Sequence, residues 1–372
     1  MKILIASLLK RKVSEEITAS RPHIIFEIVS GLVKKGHDIT VLGTGDSTIP
    51  GAKVIPVIDK AFVDLPAFEN PFYAETGFLV QLAKKIEELS SDFDIVHNHT
   101  YPEFINLLVS DKIKTPMVTT VHAQATAELD STLSLFPNTT LIGLSQAHKR
   151  LFKKTHISEI VYNGIDTNIY SFLEKKSDYL LWLGRLSKAK DKNGNFLDPK
   201  GIKWAIELAR KTGEKLLLSG NVEDIEFYNK DVKPYLNDKI QWVGPVSSEQ
   251  MLKKEEVVKL MQEAKVYLMT VNWEEPFGLV MAEAMSCGTP VIGFNKGAVS
   301  ELLVDELTGY VVDYTSGIEG LIDALAKLNH LSPEKYNQMK LDCRKRVEQN
   351  FSIDQMVSNY EKVYLKAIEE RE

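Results

Sequence analysis

Residues 275–283 read Glu-Pro-Phe-Gly-Leu-Val-Met-Ala-Glu, so that two carboxylates eight positions apart enclose a proline and a glycine. The preceding residues 266–271, Val-Tyr-Leu-Met-Thr-Val, are rich in β-formers. Pro276 suits a first helical turn, because its missing N–H costs nothing there. The stretch therefore predicts a junction between a buried strand and a helix over residues 279–286, with one acid on each side.

A helix that begins at this junction presents unpaired backbone N–H groups around residues 277–279. These donors and the positive end of the helix dipole form a seat for an anion such as a phosphate. Gly278 has no Cβ and lets a ligand approach the backbone, and Glu283 reaches a neutral polyol such as ribose. The junction predicts a phosphorylated, hydroxyl-rich ligand.

The composition limits the class of protein. A chain of 372 residues exceeds the size at which one core usually keeps growing, and this length predicts two domains. The net charge of −6 argues against a nucleic-acid binder, which needs a broad basic surface. Cys287 and Cys343 have neither metal-ligand spacing nor a disulfide framework, which fits a reducing compartment.

The N-terminal residues are apolar, but the charges at Lys10-Arg11-Lys12 follow the apolar run, which is the wrong order for a signal peptide. No apolar run approaches the roughly 20 residues that span a bilayer. We expect a cytoplasmic protein, and a peripheral contact with the inner face of the membrane through a basic patch stays open.

Short apolar runs alternate with amphipathic segments, which is the pattern of parallel strands joined by crossover helices. We expect an α/β protein with two Rossmann-like domains, at 1–170 and 171–350, and a final helix over 351–372. Strands are predicted at 2–7, 38–42, 53–57, 94–97, 117–121 and 140–144, and then at 179–183, 215–219, 240–243, 266–270 and 290–293. Helices are predicted at 22–35, 71–89, 146–153, 202–211, 248–263 and 279–286, and almost throughout after Pro333.

Ligands of open α/β sheets bind beyond the carboxyl ends of the strands. Arg185 follows the first strand of the second half, and a guanidinium there can hold a diphosphate with two oriented donors. Lys200 precedes the next helix and adds a second cation. The alternative is that both are ordinary surface charges, but their position between strand and helix favours phosphate contact.

Three histidines, His97, His99 and His122, come at the ends of two strands in the first half. A histidine in such a place can orient a hydroxyl or transfer a proton. A zinc site is the alternative, but two of the rings belong to one strand, the third to another, and no carboxylate follows at a known spacing. We expect no bound metal, and His97 is better explained as a hydrogen-bonded core residue.

Several strand ends carry glycine, where the backbone turns or approaches something closely. These glycines, the histidines, the two cations and the acid pair follow one another along the chain in a fixed order. That order resembles the motif order of the family-4 retaining glycosyltransferases with the GT-B fold. The matching stretches are 36–41, 94–97, 121–122, 163–166, 184–186, 200–201, 275–292 and 308–309.

The resemblance implies that the C-terminal half holds a nucleotide-sugar donor, and the N-terminal half the acceptor, across a cleft. It also implies that the final helix, 351–372, packs back on the first domain. Arg185 and Lys200 would bind the diphosphate and neutralise charge on the leaving nucleotide. Glu283 would hold the ribose, and Glu275 the sugar. The donor set implied in this way is Arg185, Lys200, Gly220, Val243, Gly244, Glu275, Pro276, Phe277, Gly278, Leu279 and Glu283.

On the acceptor side we expect Lys10, Arg21, His99 and His122, and the resemblance implies that His122 touches the sugar. Catalysis would depend on His122, Glu275, Arg185 and Lys200, without a metal or another cofactor. The implied reaction is transfer of a hexosyl unit from a UDP- or GDP-sugar to the hydroxyl of a small-molecule, lipid or glycan acceptor. Front-face attack is favoured over a double displacement through Glu275.

Two other classes of protein stay open. A GT-B epimerase or hydrolase would use the same donor without an acceptor, and a two-domain sugar-binding protein would bind sugar without nucleotide. The acid pair favours transfer, and the phosphate-type cations weigh against the sugar-binding protein.

The chain departs from the family pattern in two loops. Relatives often carry a Gly-Gly pair after the first strand, whereas residues 8–22 contain no glycine. The cations Lys10, Arg11, Lys12 and Arg21 can replace that backbone contact or bind an anionic acceptor, and a solvated loop is the alternative. The spacer 186–199 is longer than usual and predicts an exposed excursion, from which Lys188 or Lys190 can share the role of Lys200.

Overall fold

The computed structural model describes residues 1–17 and 19–371, and the chain forms two compact units. The N-terminal unit comprises Met1–Gly164 together with Ile353–Glu372, and the C-terminal unit comprises Ile165–Ser352. The chain thus passes from one unit to the other between residues 164 and 165, and it returns between residues 352 and 353. The domain boundaries expected from the sequence lay between residues 170 and 171 and between residues 350 and 351. None of the described helices combines the length and the apolar character needed to cross a membrane.

The N-terminal unit is built on a parallel sheet. Its strands are β1 (Lys2–Ala6), β2 (Asp38–Thr44), β3 (Lys53–Ile58), β4 (Ile95–Asn98), β5 (Met117–Thr120), β6 (Thr140–Gly143) and β7 (Glu159–Ile160). Within the described residues they form one seven-stranded sheet in the order β3-β2-β1-β4-β5-β6-β7. The helices that connect them are α1 (Ser20–Lys34), α2 (Pro71–Leu89), α3 (Ala127–Leu133) and α4 (Gln146–Leu151).

Strand β1 lies in the middle of this sheet, where it is shielded on both faces. Ile3 pairs with Ile39 of β2 on one side and with Ile95 of β4 on the other. Residues 3–6 are fully buried. A strand that is apolar on both faces suits a central position in a parallel sheet covered by helices, so the apolar N-terminus is explained by the fold.

The C-terminal unit repeats this plan. Its strands are β8 (Tyr179–Leu186), β9 (Lys215–Val222), β10 (Ile240–Trp242), β11 (Val266–Met269), β12 (Val291–Phe294) and β13 (Gly309–Val312), and in the described residues they form a parallel sheet in the order β10-β9-β8-β11-β12-β13. The helices are α5 (Ile202–Thr212), α6 (Ile225–Asp231), α7 (Lys254–Glu263), α8 (Leu279–Ser286), α9 (Val299–Leu302), α10 (Gly317–Asn329) and α11 (Pro333–Asn350). Both units are therefore Rossmann-like, as expected.

The last helix, α12 (Ile353–Glu369), belongs to the N-terminal unit and packs against α1. Tyr360 and Tyr364 on its inner face are fully buried. Lys35 and His37, just after α1, both bond the carboxylate of Glu361, and the bond from His37 Nε2 measures 2.7 Å. The prediction that the final helix returns to the first domain is confirmed.

Some elements were not predicted. Strands β7 and β13, the short helices α3, α6 and α9 and also the longer helix α10 are absent from the sequence-based prediction, and the helix expected at 248–263 begins only at Lys254. The Oγ atom of Ser247 accepts the N–H groups of Glu249 and Gln250 at 3.1 and 3.2 Å. This local turn competes with helix formation and delays the helix.

The spacer 186–199 is only partly the exposed excursion that was predicted. Asp191 Oδ1 accepts the N–H groups of Asn193 and Asn195, at 2.8 and 2.9 Å, and so closes a tight turn in exposed chain. Phe196 is nevertheless buried, and its ring stacks on Phe227 of α6 with centroids 5.1 Å apart. The prediction is wrong at Phe196, which anchors the spacer to the core.

Replacing Gly31 by leucine is expected to lower the free energy of unfolding by about 2 kcal/mol or more, because α12 leaves no room for a larger residue. A Cβ at Gly31 would lie 2.4 Å from Cγ2 of Val357. The matched control is Gly77→Leu in α2, where a Cβ would have no neighbour within 4 Å. That change removes a helical glycine and should raise stability by up to about 1 kcal/mol. Urea unfolding measures both variants, and equal effects would contradict this account of α1 and α12.

Candidate active site

Arg185 lies at the carboxyl end of β8, where this strand pairs with β9. Its Nη1 atom lies 3.2 Å from Oε1 of Glu223, and half of the arginine side chain is exposed. Opposite, a Cβ at Gly220 would sit 1.6 Å from the carbonyl oxygen of Gly184, and the φ angle of Gly220 is 144°. The approach of the two strands accounts for glycine at 220 without a ligand, so its place in the donor set rests on the resemblance alone.

The backbone of Val243 is committed to the sheet. Its N–H donates to the carbonyl of Leu218 at 2.8 Å, and its carbonyl accepts the hydroxyl of Ser219 at 2.7 Å. Of the two residues expected to offer backbone groups to a base, Gly244 therefore stays the stronger candidate.

Lys200 is held beside the acid pair by both its backbone and its side chain. Nε1 of Trp182 in β8 donates to the carbonyl of Lys200 at 3.0 Å. The Nζ atom of Lys200 lies 2.6 Å from Oε2 of Glu275 and 4.6 Å from the ring centroid of Trp273. The same carboxylate oxygen accepts the indole N–H of Trp273 at 2.8 Å. A cation, a buried carboxylate and an indole thus form one cluster.

This cluster joins two residues to which the sequence assigned separate ligand groups. Lys200 was expected at the diphosphate and Glu275 at the sugar, whereas the structure places them in direct contact. Of the alternative cations, Lys190 pairs with Glu226 on α6 at 2.9 Å, and the backbone N–H of Lys188 lies 3.4 Å from Glu223. Of these three lysines, Lys200 is the one that contacts Glu275.

The loop before α8 is fixed by the segment after β12. The carboxylate of Glu274 accepts the N–H of Gly297 at 2.6 Å and pairs with Lys296 at 3.2 Å. The carbonyl of Glu275 accepts the N–H of Ala298 at 2.8 Å. These bonds hold the loop in one conformation, so Glu275 is preorganised.

Helix α8 begins at Leu279, after Gly278 in a left-handed conformation with a φ of 97°. Pro276 was expected in the first turn of the helix, but it precedes the helix. The reason is that the left-handed backbone at Gly278, which favours glycine, breaks the helical path between the proline and the helix. In the part of the chain that the structure describes, no side chain caps this helix.

The N-terminus of α5, by contrast, is closed by its own chain. The Asp198 carboxylate accepts the N–H groups of Gly201, Ile202 and Lys203, at 2.9, 3.1 and 3.0 Å. Since a carboxylate already occupies the donors of α5, α8 is the better of these two helices to receive an anion beside Glu275.

Glu283 lies in the second turn of α8 and is half-buried. Burial raises its pKa to about 7, and a hydrogen bond with Tyr170 opposes part of that rise. Tyr267, which is fully buried, donates its hydroxyl to the carbonyl of Leu183 at 3.0 Å. Burial, with smaller contributions from the carboxylates of Glu275 and Glu283, raises the pKa of Tyr267. The two acids thus share a buried hydroxyl neighbour that the sequence did not reveal.

The three histidines of the N-terminal unit form a hydrogen-bonded row. The Nδ1 atom of His97 lies 2.6 Å from the hydroxyl of Tyr364 and 3.1 Å from Nε2 of His99. The Nδ1 atom of His99 lies 2.8 Å from Nε2 of His122. His97 also contacts Thr120 through Nε2 at 2.8 Å, which makes it the hydrogen-bonded core residue that was expected.

The row can hold its protons in two ways. Burial lowers the pKa of His99 to about 3, and it lowers those of His97 and His122 well below the usual value, so the rings are neutral at pH 7. Each contact between two ring nitrogens needs one hydrogen between them. Either all three rings carry the proton on Nε2, or all three carry it on Nδ1. The free nitrogen of His122 accepts a hydrogen bond in the first state and donates one in the second.

The loop after β5 positions His122 through its neighbour Ala123. The Ala123 carbonyl bonds Nε2 of His148 at 2.9 Å, and its N–H donates to Oε1 of Glu103 at 3.2 Å. The same oxygen of Glu103 accepts Nη2 of Arg21 at 3.0 Å. Arg21 and Lys10, both expected on the acceptor side, also line one cavity of the N-terminal unit.

Several residues of these sites were not predicted. Trp273 and Glu274 stand directly beside the acid pair, and their position next to Glu275 was the available signal. Tyr267 lies in the predicted strand 266–270, and its burial gave no sign of a polar role. Glu103, His148 and Tyr364 come from distant segments without any marking pattern. Among the described residues, no group of three His, Cys, Asp or Glu side chains is placed to hold a metal ion.

Two Rossmann-like units with a strand–helix junction at the acid pair are the architecture expected of a GT-B glycosyltransferase. The model of the family described as "Glycosyl transferases group 1" matches residues 171–346, and that of "Glycosyltransferase Family 4" matches residues 23–169. The two models match the two halves of one chain, which therefore belongs to the family-4 (group 1) glycosyltransferases.

One named protein is similar to this chain in sequence, and two solved structures are similar to it in fold. N-acetyl-alpha-D-glucosaminyl L-malate synthase of Bacillus anthracis is 26% identical over 371 residues, which cover 91% of each protein. The structure of sucrose-phosphate synthase from Thermosynechococcus elongatus matches with a TM-score of 0.77 at 16% identity and covers 99% of both chains. Anabaena HepE in complex with UDP and glucose matches with a TM-score of 0.71 at 16% identity and covers 98% of this chain and 100% of its own.

Nitrogen-15 spectra of histidine-labelled protein at pH 7 are expected to show His97, His99 and His122 as neutral rings with the same tautomer. The reason is that one hydrogen lies in each nitrogen–nitrogen contact, so a proton shift at one ring obliges the others to follow. The control is His99→Phe, which keeps a ring in place but removes both contacts, and which should free the tautomer of His122 from that of His97. Mixed tautomers in the unsubstituted protein would contradict the proposed row.

Proposed function

We propose that this glycosyltransferase moves a hexosyl unit, with retention of configuration, from a nucleotide-diphosphate sugar to an acceptor hydroxyl. The observation that carries the proposal is the Lys200–Glu275 contact of 2.6 Å beside the uncapped start of α8. A cation and an open helix N-terminus attract a diphosphate, and a fixed carboxylate beside them accepts sugar hydroxyls. Anabaena HepE, which shares the fold, forms a complex with UDP and glucose, and this complex supports a UDP-hexose as the donor.

The leaving nucleotide develops negative charge as the glycosidic bond breaks. In the proposal, Arg185, Lys200 and the first N–H groups of α8 stabilise that charge. These groups take the part that a divalent cation plays in metal-dependent transferases, and we expect turnover to persist in the presence of EDTA. Glu283 holds the ribose hydroxyls, since a carboxylate can accept two hydrogen bonds from a diol.

Front-face attack fits Glu275 better than a double displacement does. Oε2 of this carboxylate already accepts hydrogen bonds from Lys200 and Trp273, at 2.6 and 2.8 Å. Two donors on one oxygen, one of them charged, withdraw electron density and lower its nucleophilicity. We therefore assign Glu275 to positioning of the sugar hydroxyls, and the leaving phosphate to removal of the acceptor proton.

On the acceptor side, His122 contacts the sugar. Its outer nitrogen accepts or donates a hydrogen bond according to the proton arrangement of the row, so His97 and His99 act on it as positioning residues. The name of the Bacillus anthracis relative includes L-malate, which supports a small hydroxylated acceptor for a member of this family.

The donor site is tested by calorimetric titration of UDP into variants. Arg185→Ala and Lys200→Ala are expected to weaken UDP binding about tenfold or more, because each removes a charge-assisted contact with the diphosphate. Lys190→Ala is the matched control, since this lysine forms a 2.9 Å ion pair with Glu226 and does not contact the acid pair.

The role of His122 is tested separately. His122→Ala should retain UDP binding and lose turnover with labelled UDP-glucose and an acceptor. If UDP binds all variants equally, the donor assignment is wrong, and release of free sugar without an acceptor would identify a hydrolase.

UDP binding near pH 7 is also expected to release protons through Glu283. Because burial raises the pKa of this group to about 7, roughly half of the molecules carry a proton on it before binding. Ribose hydroxyls donate to the carboxylate and favour its charged form, so the proton leaves, and affinity falls as the pH drops below 7. Titrations in buffers of different ionisation enthalpy count the protons. Glu283→Gln should abolish the release, and an unchanged proton count in this variant would place the ribose elsewhere.

A further inference from the structure

The N-terminal unit contains a cavity of about 230 Å³ that the donor chemistry leaves unused. Its walls come from the loop after β1, the start of α1, the first half of α2 and Tyr101. Much of the lining is apolar and consists of Leu8, Leu9, Pro22, Phe62, Phe78 and Leu79. Leu8, Leu9 and Leu79 are buried, so they form a fixed wall and not a loose surface patch.

Three cations and one acid stand at the same cavity. Arg21 is already neutralised, because its Nη2 atom lies 3.0 Å from the buried carboxylate of Glu103. Lys10 and Arg11 are exposed, and neither has an ion pair within the described residues. Among the described residues that line the cavity, Glu75 is the one carboxylate. Two cations against one acid leave the cavity with a surplus of positive charge beside an apolar wall.

The cavity is connected to His122 within the same unit. Arg21 bonds Oε1 of Glu103, and this oxygen also accepts the N–H of Ala123, the residue that follows His122. Buried Oε2 of Glu103 has no hydrogen-bond partner within the described residues. Glu103 does not itself line the cavity, so its carboxylate connects the lining residue Arg21 to the segment that carries His122.

We propose that this cavity takes the acceptor substrate, and that the acceptor is an amphipathic anion in which a phosphate or carboxylate is attached to an apolar chain or ring. The inference rests on the glycosyltransferase function proposed above. The apolar part lies against Leu9, Phe78 and Leu79, and the anion lies at Lys10 and Arg11. Burial of the apolar part supplies affinity, and the two cations select the charge.

The binding of n-octyl phosphate, measured by calorimetry below its micellar concentration, tests the proposal. We expect it to bind at least tenfold more tightly than inorganic phosphate or n-octanol, because only octyl phosphate uses both the wall and the cations. The double variant K10E/R11E should lose at least tenfold in affinity. Lys12→Glu is the matched control, since Lys12 adjoins these residues but does not line the cavity. Glu75→Gln should bind about two- to fivefold more tightly, because it removes the opposing charge.

The outcomes separate this proposal from the donor assignment, because UDP is titrated into the same samples. If UDP binds and octyl phosphate does not, the acceptor proposal falls and the donor site stands. Equal binding of inorganic phosphate, or binding only to vesicles that contain anionic lipid, would overturn it as well. Loss of affinity in Lys12→Glu equal to that in K10E/R11E would reduce the effect to general charge. If octyl phosphate binds as expected while UDP does not, the cavity stands and the transferase donor site is wrong.

Discussion

The ion pair between Lys200 and Glu275 connects the two segments on which the candidate donor site depends. Lys200 ends the spacer and precedes α5, and Glu275 lies in the loop that leads to α8. A buried carboxylate is costly without partners, and here Lys200 and Trp273 supply both charge and a hydrogen bond. Removal of Lys200 leaves an uncompensated charge in the core. The spacer 186–199 must therefore be fixed so that Lys200 lies beside Glu275.

Two anchors fix the spacer 186–199 before the chain reaches Lys200. Phe196 stacks on Phe227, and Asp198 closes the N-terminus of α5, so the chain is fixed on both sides of the turn before it reaches Lys200. Closure of α5 has a further consequence for electrostatics. With those donors occupied, α5 cannot offer its N-terminus to an anion beside Glu275, whereas within the described residues no side chain caps α8.

The sequence was most informative where one local pattern determines the structure. The bounds of α2 and α8 were predicted as they occur, because proline at a helix start and a glycine break act within a few residues. The strand–helix junction around the acid pair was found for the same reason. Contacts that join distant segments were not found, such as those of Lys200 with Glu275 and of His97 with Tyr364, because no spacing encodes them. The two-residue strand β7 likewise exists through pairing with β6, and its own residues carry no sign of it.

The return of α12 to the N-terminal unit gives the end of the chain a role in the chemistry of its first half. The Tyr364 hydroxyl lies 2.6 Å from the nitrogen of His97 that also contacts His99, so both groups share that nitrogen. When Tyr364 donates, Nδ1 of His97 has no proton, and the row takes the arrangement with every proton on Nε2. When Tyr364 accepts, His97 carries its proton on Nδ1 and the other two rings follow. A hydroxyl on the last helix can thus bias which hydrogen bond His122 makes, two histidines away, without any movement of the backbone.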